Sequence, residues 1–230
     1  MAGIGALNET PLHAALKAAV APPGARFEVA VDGYVVDVVH DGLLIEVQTR
    51  HVGQLRRKLT ALLCEHRVRL VLPVSRETVL VKRGATEARR RSPKRGHPAD
   101  VARELVAIHD LIDHPGLEIE LVLIRSEEVR EHRTTGAWRR RGWVTVDRTL
   151  LEVLERRRWR GAAGLLELLP GDLDEPFGSA EVARAGGMRR ATAQQLLYCL
   201  RRCGRVAVVG RAGNALRYVR SPERGPAAGA

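Results

Sequence analysis

Between Phe27 and Thr49 the chain reads FEVAVDGYVVDVVHDGLLIEVQT, three short runs rich in Val, Leu and Ile broken by two Asp-Gly pairs. Asp-Gly is favoured in two-residue hairpin turns, where both central residues take positive φ. Three antiparallel strands are therefore expected, with turns at Asp32-Gly33 and Asp41-Gly42. Ahead of them, Thr10 caps and Pro11 opens a helix with Leu12, Leu16 and Val20 on one face, stopped by Pro22-Pro23-Gly24. Behind them, Val52, Leu55, Leu59 and Leu63 repeat at helical spacing from His51 to about His66. Two strands follow, Arg69–Ser75 and Thr78–Arg83.

The stretch 86–98, TEARRRSPKRGHP, reads as a basic, turn-rich break. Its SPKRG segment is open between a phosphate-embracing loop and a solvated basic one. A helix is expected over Ala99–Ile112 and an apolar strand over Leu117–Ile124. Leu150–Trp159 reads as a short charged helix. Near the end, Ser179 is expected to cap a short helix closing at Gly186-Gly187, and a longer helix runs from about Arg189 to Cys203. Two strands then flank a tip at Gly210–Asn214. Helix, tight turn, helix, hairpin is the layout of a winged helix-turn-helix.

The turn at Asp41-Gly42 has a chemical consequence. It sets Val38 against Ile45 and Asp37 against Glu46, two carboxylates opposed in an otherwise apolar strand pair. Like charges directly opposite are destabilising, and a divalent cation is the simplest group to hold them together. Glu46 and Gln48 point to one face, being two apart on a strand. A one-residue slip in register would turn Asp37 to the other face, leaving only a surface residue.

Helix, three-stranded meander, helix and strand, with Asp37 in the second strand and Glu46-Val47-Gln48 in the third, resembles the PD-(D/E)XK nuclease superfamily over roughly residues 7–83. The resemblance implies an α/β, restriction-endonuclease-like αβββαβ core that hydrolyses DNA phosphodiester bonds with Mg²⁺ or Mn²⁺. It implies Asp37, Glu46 and the Val47 carbonyl as metal ligands, and Glu9 as the extra acid some members supply near the first helix. Gln48 stands where Lys is usual and offers only a neutral amide. Lys58 or Arg57 on the following helix would supply the missing cation.

The last helix and hairpin resemble bacterial winged-helix modules, which implies DNA contact by Arg189, Arg190, Thr192, Gln194, Arg211 and Asn214. Arg suits guanine and Gln suits adenine in the major groove. Charge agrees: residues 1–132 carry 19 Lys+Arg and 18 Asp+Glu, whereas 133–230 carry 19 and 9. The excess suits a polyanion, although 34 arginines against four lysines mark a broad compositional bias.

The expected organisation is a nuclease-like domain (1–132), a basic connector with a short helix (133–168), a small winged-helix domain (169–220) and a disordered tail (221–230). Trp138 and Trp143 are expected to pack rather than stack on bases. Three cysteines make no disulfide framework or closed zinc site, and His13, His40, His51 and His66 show no ligand spacing. No apolar run is long enough for a membrane span and no signal peptide is visible, so a cytoplasmic protein is expected. DNA is the expected partner, with protein partners of a repair or defence system and the oligomeric state left open. The alternative to an enzyme is a non-catalytic DNA-binding or regulatory protein that keeps the nuclease fold as scaffold.

Overall fold

The computed structural model describes residues 10–84, 87–133 and 142–221. The fold is mixed α/β. Its first helix, α1 (Pro11–Val20), starts as the sequence predicts: the Thr10 hydroxyl accepts the His13 N–H, and Pro11 opens the first turn. The meander follows as β1 (Arg26–Val31), β2 (Tyr34–His40) and β3 (Leu43–Val47). Both turns have left-handed central residues, with φ of +49° and +80° at Asp32 and Gly33 and +46° and +73° at Asp41 and Gly42. The register matches the sequence reading, pairing Val38 with Ile45, Val39 with Leu44 and His40 with Leu43.

A 3₁₀ turn at Val52–Leu55 and helix α2 (Arg56–Leu62) lead to β4 (Arg67–Arg83). The two strands expected here are one. Pro73 removes a single donor from the row without ending it. The expected break at 86–98 contains a strand, β5 (Ala88–Arg91), paired antiparallel with the far end of β4. The helix expected over Ala99–Ile112 is a series of short turns: a 3₁₀ turn at Pro98–Val101, helix α3 (Ala102–Leu105) and another 3₁₀ turn at Val106–Ile108. They still bury the predicted stripe of Val101, Leu105 and Ile108.

Strand β6 runs from Leu117 to His132, and β7 from Trp143 to Arg160. The latter corrects the expected charged helix at Leu150–Trp159. Its charges answer residues on β6: Arg156 holds the fully buried Glu120, and Glu152 receives Arg125 Nη1 at 2.5 Å. Opposite-charge pairing of this kind supports a sheet, and a local helical reading cannot see it. Strands β1 to β7 form one sheet in the order β1-β2-β3-β4-β6-β7, with β5 on β4. The apolar face of α1 packs over it, Leu12, Leu16 and Val20 meeting Val38, Ile45, Val47, Val71, Val122 and Ile124. Trp143 packs as expected, against the edge of His132 and beneath Lys82 Nζ at 4.4 Å. Trp138 lies outside the described residues.

After α4 (Ala163–Leu166) come α5 (Ser179–Ala185), α6 (Arg190–Arg202) and the hairpin β8 (Val206–Ala212) and β9 (Ala215–Arg220). Gly178 is the cap of α5 and Ser179 its first residue, a one-place correction. The hairpin tip is also tighter than expected, reduced to Gly213 and Asn214. Fully buried Phe177 pairs with Tyr218 as a short third strand beside the hairpin.

The described residues cluster into two compact units, each discontinuous in sequence. One is drawn from Met1–Thr49, Val68–Pro98 and Glu120–Arg157, the other from Arg50–Arg67, Ala99–Ile119 and Arg158–Ala230. Within the second, α6 packs on the 99–112 segment: Cys199 Sγ lies 3.7 Å from the Ala102 carbonyl and Cys203 Sγ 3.6 Å from that of His109. No helix among the described residues is long and apolar enough to cross a membrane.

Burial pushes the thiols of Cys199 and Cys203 up to about 12, whereas Cys64 is exposed. Thiolate is the reactive form, so a thiol reagent at neutral pH should modify Cys64 alone in the native protein and all three cysteines in denaturant, read by mass spectrometry. Removing the acid of a buried ion pair strands its cations. Glu120→Ala, which takes a buried carboxylate away from Arg69 and Arg156, should cost about 3–5 kcal/mol in urea unfolding.

Candidate functional site

The Val38–Ile45 register sets Asp37 of β2 across from Glu46 of β3. Beyond the Val38–Ile45 pair the strands exchange side-chain bonds in place of a regular ladder. Asp37 Oδ2 accepts the Val47 N–H at 2.8 Å, and Glu46 Oε1 accepts the Asp37 N–H at 3.3 Å. Each carboxylate thus holds the backbone beside the other. Glu46 is 2% exposed and Asp37 half-buried.

A third carboxylate stands at the same level. Glu28 falls between the pairs Phe27–Val38 and Val29–Val36, which places it opposite Asp37 on β1. Its φ is +52°. A left-handed residue inside a strand re-aims its side chain, and Glu28 reaches the ammonium of Lys17 on α1. Lys17 is 6% exposed. One turn earlier, His13 Nε2 lies 2.7 Å from the Val47 carbonyl oxygen and 3.4 Å from Asp37 Oδ2. A carbonyl only accepts, so Nε2 carries the proton.

The acidic row across three strands is therefore met by two side chains of α1 that sequence reasoning passed over. His13 gave no signal, because ligand-spacing rules look for other metal-binding residues. Lys17 gave a weak one: it adjoins Leu16 in a helix whose buried stripe leaves little room for an unpaired charge.

Gln48, just past β3, is half-buried, and its backbone N–H goes to Val71 of β4 at 2.9 Å. Lys58 and Arg57 lie on α2, which belongs to the second unit. Glu9 lies outside the described residues. The donors gathered here fit a hard divalent cation in kind, two carboxylates and the Val47 carbonyl, all oxygen. In number they fit only if water completes the shell. Among the described residues no group of three or more His, Cys, Asp and Glu side chains is arranged to hold a metal ion.

The candidate DNA contacts separate into two sets. Arg190, Gln194, Arg211 and Asn214 are exposed. Thr192 is corrected: it is 2% exposed, and its hydroxyl donates to Asp100 Oδ1 at 2.6 Å. Arg189 is exposed but donates to the same oxygen at 2.9 Å. Asp100 thus fastens the start of α6 to the 99–112 segment. Arg217 on β9 donates to Glu181 Oε1 at 2.6 Å, and that bond holds the Glu181 carboxyl below its usual range.

No solved structure matches the chain. It is 36% identical over 223 residues to an uncharacterized protein of Treponema pallidum (strain Nichols), with 95% of this chain and 88% of that one covered. The family model described as Domain of unknown function (DUF8091) matches residues 10–160. Its match takes in α1, the acidic row and every strand of the large sheet, and it ends with β7. The chain belongs to the DUF8091 family.

Proposed function

We propose that the chain is a metal-dependent DNA phosphodiesterase with a restriction-endonuclease-like core and a winged-helix element that contacts DNA. The observation that carries this reading is the reciprocal capture of Asp37 and Glu46 where β2 and β3 leave regular pairing. Two anionic side chains are expensive to bring together away from water, and a site that concentrates them has the means to bind a hard cation. Asp37, Glu46 and the Val47 carbonyl would hold Mg²⁺ or Mn²⁺, with Glu9 as a further acid. Such an ion polarises a phosphoryl oxygen and acidifies a bound water.

The chain's own residues supply orientation. The bond from His13 fixes the direction of the Val47 carbonyl, and the bonds from Asp37 and Val47 N–H groups fix both carboxylates. The Gln48 amide would donate to phosphate or orient water, without the charge a lysine gives. Lys17, through Glu28, brings the positive charge that Gln48 lacks into this unit. Arg190, Gln194, Arg211 and Asn214 would meet the duplex.

A second reading has its own support. His13 and Lys17 already answer the acidic row, and Gln48 is neutral, so the same geometry suits a non-catalytic DNA-binding protein built on the nuclease scaffold. Two measurements separate the readings. If the protein is an enzyme, plasmid is cleaved with Mg²⁺ or Mn²⁺, and Asp37→Asn or Glu46→Gln lowers the rate by about 100-fold or more, the scale of a single charge-stabilising group. A wild type silent with either ion overturns the enzyme.

The DNA-contact reading predicts that Arg190→Ala/Arg211→Ala weakens duplex binding. It should also reduce the slope of log K against log salt by about 1–2, since each phosphate contact contributes about 0.9. An unchanged slope overturns the placement of DNA on α6 and the hairpin.

A further inference from the structure

His51 is a non-glycine residue in the left-handed region, with φ +58° and ψ +47°, outside any tight hairpin turn. Histidine enters that region more readily than bulkier residues, but the conformation still costs free energy and collects at functional sites. It opens a 3₁₀ turn in which the Gln54 N–H returns to the His51 carbonyl at 2.9 Å. His51 also lines a cleft of about 760 Å³ on the second unit, together with Arg50, Val52, Gln54, Arg103 and Glu104. That volume lies within the range of ligand sites and exceeds what a bare inorganic ion fills.

The hydrogen-bonding character of this cleft is one-sided. Among the described residues its only acidic side chain is Glu104, and both of its oxygens are committed. Oε2 accepts the Val52 N–H at 3.2 Å, and Oε1 accepts Arg103 Nε and Nη2 at 3.2 and 3.0 Å. The same bonds hold the Arg103 guanidinium in place beside the opening. The other polar side chains on the lining are the Arg50 guanidinium, the Gln54 amide and the His51 imidazole. The Nη1–Nη2 edge of Arg103, which the bonds to Glu104 leave over, makes with the Arg50 guanidinium, the amide and the imidazole a donor set for a tetrahedral oxyanion, since a guanidinium edge matches phosphate oxygens in pairs.

We propose that this cleft binds a phosphate group carried on a larger ligand, a nucleotide or a nucleic-acid strand, with Arg50 and Arg103 as the anchoring cations and His51 held in its strained conformation to face the ligand. The site shares no residue with Asp37 and Glu46, so it stands or falls apart from the enzymatic reading.

The test measures binding of inorganic phosphate, a deoxynucleoside 5′-monophosphate and a short DNA duplex by calorimetry in metal-free buffer, with chloride at matched ionic strength as control. Saturable binding of the mononucleotide, with inorganic phosphate competing, assigns a terminal phosphate. Saturable binding of the duplex alone assigns the backbone diester. In either case Arg50→Ala/Arg103→Ala should weaken that ligand at least tenfold.

His51→Gly supplies the control for fold damage. Glycine adopts positive φ without penalty, so this variant should melt at the same temperature as wild type or a few degrees higher, while losing affinity for the ligand. Equal affinity in wild type and Arg50→Ala/Arg103→Ala, or no binding of any of the three above chloride, overturns the proposal. Loss of cleavage in Asp37→Asn with phosphate binding intact bears on the enzymatic reading alone.

Discussion

Three carboxylates at one level of a β-sheet pose an electrostatic problem that organises the first unit. Glu28, Asp37 and Glu46 sit on adjacent strands; like charges on neighbouring strands repel, and burial of Glu46 and partial burial of Asp37 add to the cost. The structure answers from two directions. Backbone N–H groups of the neighbouring strand hold Asp37 and Glu46, and α1 lays His13 and Lys17 across the row. Leu12, Leu16 and Val20 hold that helix in place by burying its apolar stripe on the sheet. Hydrophobic packing thus positions the groups that offset the repulsion, and a change in α1 is felt at the acids.

The two turns matter for the same reason. A side chain in a strand changes face with every residue, so a hairpin one residue longer would disperse the row. Asp32-Gly33 and Asp41-Gly42 accept left-handed backbone at both central positions, and no residue is left over to slip. The strain at Glu28 has a different origin. It re-aims one acid toward Lys17 rather than reversing the chain.

Those turns are why the meander was legible in advance: Asp-Gly carries its conformation in its own chemistry, and the register follows by counting. The facing of Asp37 and Glu46 was legible with it. What was hidden depended on partners distant in sequence. Leu150–Trp159 has helical-looking charges until β6 supplies Glu120 and Arg125 to answer them. The arginines of β5 look like a loop until the Val79–Lys82 stretch of β4 is seen to pair with them. Thr192 looks like a base-reading residue until Asp100, 92 positions away, takes its hydroxyl. His13 and Lys17 were hidden for the same reason, since a helix does not announce which strand end it will lie against.

The interleaving of the two units also governs how the chain is made. Ala102 and Leu105 of α3 are fully buried, and α3 packs on α6, whose Cys199 Sγ reaches the Ala102 carbonyl. During synthesis they emerge roughly 90 residues before α6, a delay on the order of ten seconds at ordinary translation speeds. Throughout that interval the apolar side of α3 lacks part of its eventual cover on the ribosome. The nascent chain is most open to misassociation there, and shielding by a general chaperone would act at that stage.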